Sequence, residues 1–356
     1  MPLSQHNFYT VNNENCVGSS WGSTILSKGF AIFGAASLTL GAGCVSPAKP
    51  DSRAPRTSVP FPMPSPSRSL PAPTPTPIST PIPRPTPSPF PTSSPAPEPL
   101  WGVTLDDVGD LDAIVDSLKS LSHRTMARIV FDSGVDPAYY VPAVARIKPV
   151  ADIMGEILDS FAVKGVSVSG YLDRTRSYVD QFGDGVSLWE VGNEINGEWL
   201  GETSSVVQKM TGAYDLVKSR GGSTALTLYF NQDCWAQADH EMFTWAQANV
   251  PSRMKSGLDR VWISYYEDDC NDLQPDWNPV FQRLARMFPN SQVGFGETGT
   301  KYSDRKRSYL TRYYQMKVNA PRYVGGYFWW YFHQDMVPGG GSLWQTLDLM
   351  MKKGAP

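Results

Sequence analysis

The chain has 356 residues, of which 41% are hydrophobic, and a formal net charge of −3 at neutral pH. A charge this small, with no basic stripe along the sequence, excludes the electrostatic pattern of a nucleic-acid-binding protein. The 31 prolines are concentrated in one stretch, and this uneven distribution divides the chain into three zones.

The first zone, residues 1–44, predicts an export signal of the lipoprotein type. An apolar run over residues 29–43 ends at Cys44. The run is shorter than the roughly 20 residues of a membrane-spanning helix, so it is typical of a signal-peptide core. The segment Gly41-Ala42-Gly43-Cys44 resembles a bacterial lipobox, with glycine where that pattern prefers leucine. We expect export and a lipid anchor on Cys44; the alternative is a spare thiol beside an ordinary signal cleavage site.

The second zone, residues 45–100, consists largely of Pro, Ser and Thr. Such a composition buries too little apolar surface to fold and favours extended polyproline II. At roughly 3.1 Å per residue, the zone could hold a domain up to about 170 Å from its anchor. We predict a disordered stalk or linker.

The third zone, residues 101–356, predicts a (β/α)8 barrel, because apolar strand-like runs alternate with amphipathic helical patterns over a barrel-sized length. The predicted strands are Trp101–Leu105, Ala127–Phe131, Val166–Tyr171, Ser187–Val191, Ala225–Phe230, Arg260–Tyr265, Gln292–Gly296 and Gly325–Tyr331. The predicted helices are Leu111–Leu121, Ala143–Phe161, Arg174–Gln181, Ser205–Lys218, Trp235–Asn249, Asn278–Phe288, Asp304–Val318 and Ser342–Lys352. A dinucleotide-binding fold is disfavoured, since no G-x-G-x-x-G turn follows the first strand.

Two glutamates follow predicted strands of this barrel. Glu194 comes after the fourth strand and Glu297 after the seventh, so both are expected at the carboxyl-terminal rim where such barrels carry their chemistry. Paired carboxylates there indicate cleavage of a glycosidic bond. Glu190 competes with Glu194, but it lies deeper in the strand and is interpreted as part of a buried polar network.

The runs Val191-Gly192-Asn193-Glu194 and Glu297-Thr298 resemble two motifs of clan A glycoside hydrolases, which are retaining enzymes on (β/α)8 barrels. The resemblance covers residues 101–356, and short strings such as Ile263-Ser264-Tyr265-Tyr266 are similar to the β-galactanase branch. It implies that Glu194 is the acid/base and Glu297 the nucleophile.

The same resemblance implies roles for other residues that would complete a sugar-binding site. Arg128 is similar to the strand-two arginine that keeps the nucleophile charged, and Asn193 to the asparagine that binds a sugar hydroxyl. Tyr266 matches the tyrosine that contacts the nucleophile, with Tyr265 as the alternative because the strand parity is open.

Aromatic side chains near the predicted rim could stack on sugars. Trp329 and Trp330 are adjacent on the eighth strand, so only one of them can face the barrel mouth; we favour Trp330. Trp199 and Trp235, after the fourth and fifth strands, are candidate outer platforms.

Cys234 and Cys270 form an even pair in an exported domain, which predicts a disulfide between neighbouring loops. The acidic run Glu267-Asp268-Asp269 with Asp272 is interpreted as a solvated loop rather than a calcium site. The four histidines are scattered. We therefore expect neither a metal nor a cofactor.

Together these features predict an exported retaining β-glycosidase, monomeric, membrane-anchored or secreted, that acts on a poly- or oligosaccharide. The alternative is a carbohydrate-binding surface lipoprotein without turnover, although a binder needs neither glutamate. A metal-dependent barrel hydrolase is a third option, disfavoured by the absence of a histidine cluster.

Overall fold

The computed structural model describes residues 99–354. The expected export signal, the lipidation at Cys44 and all but the end of the expected linker lie outside these residues. Within residues 99–354, no helix combines the length and the apolar character that crossing a membrane requires.

Eight strands, all parallel, pair in sequence order and close on themselves, because β8 pairs with β1. The closed barrel with intervening helices confirms the predicted (β/α)8 fold. The strands are β1 (Leu100–Leu105), β2 (Met126–Val130), β3 (Asp152–Glu156), β4 (Leu188–Glu190), β5 (Thr224–Tyr229), β6 (Arg260–Tyr265), β7 (Gln292–Thr298) and β8 (Gly325–Trp329).

The helices cover the outside of the barrel and several short ones lie in its loops. They are α1 (Leu111–Lys119), α2 (Val141–Ile147), α3 (Ser160–Val163), α4 (Val168–Phe182), α5 (Thr203–Ser219), α6 (Met242–Asn249), α7 (Ser252–Gly257), α8 (Trp277–Met287), α9 (Lys306–Tyr314), α10 (Phe332–Met336) and α11 (Ser342–Lys352). Of the predicted helices, Trp235–Asn249 and Asp304–Val318 are considerably shorter in the structure.

The predicted third strand, Val166–Tyr171, is wrong. Ser167 caps a helix there, with its hydroxyl accepting from the Gly170 N–H at 3.0 Å, and α4 follows. The actual third strand is Asp152–Glu156, inside the stretch predicted as one helix over Ala143–Phe161. The barrel imposes this strand: its backbone pairs in parallel with β2 on one side and β4 on the other.

The barrel interior is stratified because alternate residues of each strand point inward. A buried apolar cluster fills one layer: Met154, Leu188, Ala225, Trp262, Val324 and Phe328. Two residues further along β2 to β6, the buried side chains are polar: Arg128, Glu156, Glu190, Thr227 and Ser264. The strands therefore carry a hydrophobic floor and, above it, a polar layer beneath the rim.

Candidate active site

Glu194 lies just beyond β4, where the chain turns out of the barrel. Its φ of 47° is in the left-handed region, an uncommon conformation for a non-glycine residue. Two hydroxyls hold its carboxyl: Ser160 Oγ donates to Oε2 at 2.7 Å and Ser264 Oγ donates to Oε1 at 2.6 Å. Glu194 thus carries no cationic partner among its hydrogen bonds, and only 8% of the residue is exposed.

This environment favours the protonated form of Glu194. Burial and, second to it, the negative charge of Glu297 together raise the pKa of the carboxyl to about 8, against the lowering effect of the two serine hydroxyls. The influence of Glu297 also indicates that the two carboxyls are near enough to interact. Near neutral pH, Glu194 is therefore able to donate a proton.

Glu297 has the opposite surroundings. Arg128 Nη1 lies 2.6 Å from Oε2, and the Tyr266 hydroxyl donates to Oε1 at 2.7 Å. A register irregularity between Ile263 and Ser264 sets the pairing of β6 with this part of β7. A permanent cation and a phenol donor both stabilise a carboxylate, so Glu297 is suited to act as an anion.

Arg128 organises the polar layer of the barrel. Its fully buried guanidinium donates from Nε to Glu190 Oε2 at 2.7 Å and lies 3.0 Å from Glu156 Oε2, in addition to its bond with Glu297. Glu190 also accepts from Thr227 and, at 3.4 Å, from Asn193. The structure thus places Glu190 in the buried network that the sequence analysis expected.

Glu156, the last residue of β3, is the least satisfied member of this layer. Neither of its carboxyl oxygens has a hydrogen-bond partner among the described residues, although Arg128 is within ion-pair distance. Burial raises the pKa of the carboxyl well above its usual range, and the attraction of Arg128 only partly opposes this. Burial therefore favours the neutral form of this carboxyl, which would leave the charge of Arg128 to Glu190 and Glu297.

Of the two alternatives at the end of β6, Tyr266, which directly follows the strand, is the one that contacts Glu297. Tyr265 points outward and donates to the Leu273 carbonyl at 2.7 Å. Directly after β8, Trp330 joins a small cluster with Val130 and Tyr266, and the Arg128 guanidinium lies 5.6 Å from the centre of its ring.

The expectation that Trp329 contributes to the sugar site is corrected by the structure. Trp329 is fully buried in the main core and its Nε1 donates to Asp335 at 3.0 Å. Adjacent strand residues point to opposite faces, and Trp330 occupies the face at the mouth.

Trp199 and Trp235 are exposed, by 36% and 41% of their surfaces. The loops that carry them are connected, because Glu198 Oε1 accepts from the backbone N–H groups of Ala236 and Gln237 at 2.8 Å. Both tryptophans are therefore available on neighbouring loops, after β4 and β5.

Cys234 and Cys270 are joined in a disulfide between the loops that follow β5 and β6. The expectation of a solvated acidic loop beside it holds for Asp269 and Asp272, which are exposed, and is wrong for Glu267 and Asp268. Glu267 is buried and pairs with Arg312 at 2.9 Å, and Asp268 accepts from Thr300 at 2.5 Å. These contacts fix the loop that begins at Tyr266 against the loop after β7 and against α9. Within residues 99–354, no group of three or more potential ligands is placed to hold a metal ion.

Three residues that contact the site carried no sequence signal that singled them out. Glu156 was hidden because its strand was assigned to a helix. Ser160 and Ser264 are ordinary serines in sequence, and only the folded chain brings both hydroxyls to Glu194. Ser264 does lie in the run Ile263–Tyr266. Its side chain could have been predicted to face the barrel interior if the inward and outward alternation of that strand had been known.

Several solved structures share this architecture. Saccharomyces cerevisiae Gas2p, in complex with laminaritriose and laminaritetraose, is 14% identical with a TM-score of 0.50, over 74% of this chain and 66% of that one. The apo β-glucosidase 1317 is 13% identical with a TM-score of 0.48, over 68% of this chain and 87% of that one. The family 1 β-glucosidase from Thermotoga maritima is 10% identical with a TM-score of 0.44, over 65% and 87%.

At 14% identity the likeness to Gas2p shows the fold alone, and it agrees with the predicted (β/α)8 barrel. No protein-family model and no curated protein matches the chain.

Proposed function

We propose that this protein is a retaining glycoside hydrolase that cleaves β-glycosidic bonds of an extracytoplasmic poly- or oligosaccharide. One observation carries the proposal: two carboxyl groups at the same barrel rim have opposite environments. Glu194 is held protonated by burial and by its neighbour's charge, whereas Glu297 is bonded to a guanidinium and a phenol. One acid and one carboxylate are what double displacement requires.

In the first step, a carboxylate oxygen of Glu297 attacks the anomeric carbon while the bond from that carbon to the leaving oxygen breaks. The electron pair of the broken bond stays on the leaving oxygen, which takes the proton of Glu194. The sugar is then esterified to Glu297, and Glu194 is an anion that accepts the hydroxyls of Ser160 and Ser264.

In the second step, Glu194 removes a proton from water, whose oxygen attacks the anomeric carbon. The ester bond breaks, its electron pair returns to Glu297, and Arg128 and Tyr266 stabilise the restored carboxylate. Esterification has meanwhile removed the charge that raised the pKa of Glu194, so the same group becomes a stronger acid and remains ionised as the base.

Other residues would bind the sugar. Asn193 uses its amide to reach Glu190 at 3.4 Å, which leaves its second N–H for a sugar hydroxyl. Trp330 would stack on the sugar attached to Glu297, and Trp235 would serve as an outer platform. None of these roles needs a cofactor.

We place the enzyme outside the cytoplasm, as a lipoprotein on Cys44 or a secreted monomer. The disulfide between Cys234 and Cys270 supports this location, because such bonds persist in oxidising compartments. The Pro-rich residues 45–100 would act as the stalk.

The test uses the full chain and five tetrasaccharides: laminaritetraose, cellotetraose, β-1,4-galactotetraose, mannotetraose and xylotetraose. We expect new reducing ends from at least one of them. The Glu297→Ala variant should lose on the order of 10⁴-fold or more in kcat, with partial recovery in azide. Binding of a tetrasaccharide without cleavage by the wild type would instead indicate a carbohydrate-binding protein, and substantial activity of Glu297→Ala without azide would contradict the nucleophile assignment.

A further inference from the structure

Ser160 lies between the proton donor and an exposed tryptophan. It is the first residue of α3, directly after β3, and only 4% of it is exposed. Its Oγ donates to Glu194 Oε2 at 2.7 Å and accepts from Trp199 Nε1 at 3.1 Å. Its backbone N–H donates to Asn193 Oδ1 at 3.0 Å. One serine therefore connects β3, the turn after β4 and the loop that carries Trp199.

The direction of this hydrogen-bond chain is fixed by chemistry. An indole N–H can only donate, so Ser160 Oγ accepts from Trp199 and its own hydrogen is directed to Glu194 Oε2. Oε2 is thereby held as an acceptor, and the proton of the neutral carboxyl belongs on Oε1. There the Ser264 hydroxyl donates to Oε1 when Glu194 is a carboxylate, and it can rotate to accept when the carboxyl is neutral.

Trp199 has the surroundings of a sugar platform. Its ring meets Tyr229 edge-on, at 5.2 Å and 78°, and about a third of its surface stays exposed. Its sequence neighbours Glu198 and Leu200 line an open cleft of about 760 Å³ at the same rim, together with polar groups that include Lys164, Ser167, Glu202, Gln237 and Asp239. Trp199 itself is not a lining residue of the cleft, but the loop that carries it forms part of the cleft wall. An exposed ring in the same loop as polar groups that border a cleft suits a carbohydrate chain.

We propose that Trp199 is the platform of a subsite for the sugar on the leaving-group side, and that Ser160 is a positioning residue that connects this subsite to the proton on Glu194. The proposal rests on the proposed function. The leaving-group side follows from the contact: Glu194 must face the departing oxygen, so the sugar beside its hydrogen-bonded partner is the one attached to that oxygen. Trp330, near Arg128 and Tyr266, belongs to the other sugar.

Ser160 acts when the leaving oxygen needs a proton. As the bond from the anomeric carbon breaks, the proton moves from Glu194 Oε1 to that oxygen, and negative charge develops on a carboxylate that Ser160 already donates to. Losing this donor weakens Glu194 as an acid. Removing the Ser160 hydroxyl should therefore lower the rate for a leaving group that requires protonation, and should change the rate little for a leaving group that departs without it.

The experiment compares Ser160→Ala and Trp199→Phe with the wild-type full chain. The control is Trp344→Phe, which also removes an indole N–H, but one that donates to the Ser117 carbonyl between α11 and α1, on the outside of the barrel. Substrates are the phenyl and 2,4-dinitrophenyl β-glucosides and β-galactosides, and whichever of the five tetrasaccharides the wild type cleaves. Circular dichroism checks folding, and kcat/KM is followed against pH.

We expect Ser160→Ala to lower kcat about tenfold or more on the phenyl glycoside and the tetrasaccharide, with little change on the dinitrophenyl glycoside and an alkaline limb moved to higher pH. Trp199→Phe should show the same pattern more weakly, and the double variant should add little to Ser160→Ala. Equal losses on both leaving groups, or no loss, would overturn the inference while leaving the proposed function intact. A wild type that cleaves no substrate would refute both.

Discussion

The two glutamates at the rim, Glu194 and Glu297, are the same residue type in two different local environments. Glu297 is bonded to a buried guanidinium and a phenol, whereas Glu194 accepts hydrogen bonds from two neutral hydroxyls and carries a raised pKa. The difference comes from which strands supply the neighbours: Arg128 on β2 reaches Glu297, and the serines after β3 and on β6 reach Glu194. Because the two side chains are chemically identical, the proposed role of each glutamate depends on the hydrogen-bonding and charged partners that the barrel places around it.

Among the substitutions that test this difference in environment, the largest expected loss of kcat comes from removing the proton of Glu194. Glu194→Gln should lower kcat by about 10²–10⁴-fold on the tetrasaccharide, because the leaving oxygen is no longer protonated. In the wild type, activity should fall as the pH rises through about 8, where the carboxyl loses its proton. Rate–pH profiles of both proteins test this: the fall should be absent from the variant, and a variant with an unchanged profile and rate would make another residue the acid.

A smaller effect is expected on the other side, from the phenol that holds Glu297. Tyr266→Phe should lower kcat about tenfold, since one hydrogen bond to the nucleophile is lost while Arg128 remains. The matched control is Tyr265→Phe, whose hydroxyl bonds a loop carbonyl outside the barrel. If the control lowers kcat as much as Tyr266→Phe, the phenol acts through packing and not through the nucleophile.

The smallest effect should come from Glu156, which Arg128 contacts but whose neutral form is favoured by burial. Glu156→Gln preserves a neutral side chain of the same shape, so kcat should change less than about threefold. Glu190→Gln, by contrast, disrupts an acceptor of Arg128 and Thr227 and should cost at least about tenfold. Steady-state kinetics of Glu156→Gln and Glu190→Gln test this. Equal losses of kcat would mean that Glu156 is ionised and pairs with Arg128 as Glu190 does.

The barrel was readable from the sequence because seven strands are apolar runs bounded by loops, and each overlaps its observed position. The third was missed for a local reason. Asp152–Glu156 is short, and four residues separate it from the end of α2. Although Pro149 lies between them, the apolar residues on both sides continue the helical spacing, so the sequence predicts one helix that includes the strand. Pairing with β2 and β4, a long-range effect, makes it a strand. Conversely, Val166 and Val168 suggested a strand where the Ser167 cap starts a helix.

The sequence predicted several of the site residues that lie on predicted strands or shortly after them. Glu194 and Glu297 were placed by their positions after strands, and Arg128 and Tyr266 by the resemblance to clan A glycoside hydrolases. The structure brings their side chains together. Ser160 and Ser264 were not predicted, because a serine hydroxyl has no pattern of its own and its meaning depends on a partner far along the chain. The buried pairing of Glu267 with Arg312 was missed for the same reason.

The proton on Glu194 also belongs to the thermodynamics of folding. An unperturbed glutamate titrates near 4.5, whereas in the folded protein this carboxyl titrates at about 8. Between these two pH values the native state binds a proton that the unfolded chain releases. The contribution of Glu194 to the free energy of unfolding is therefore greatest below pH 4.5 and falls as the pH rises through this interval. The rise in pH that deprotonates the catalytic acid therefore also lowers the free energy of unfolding.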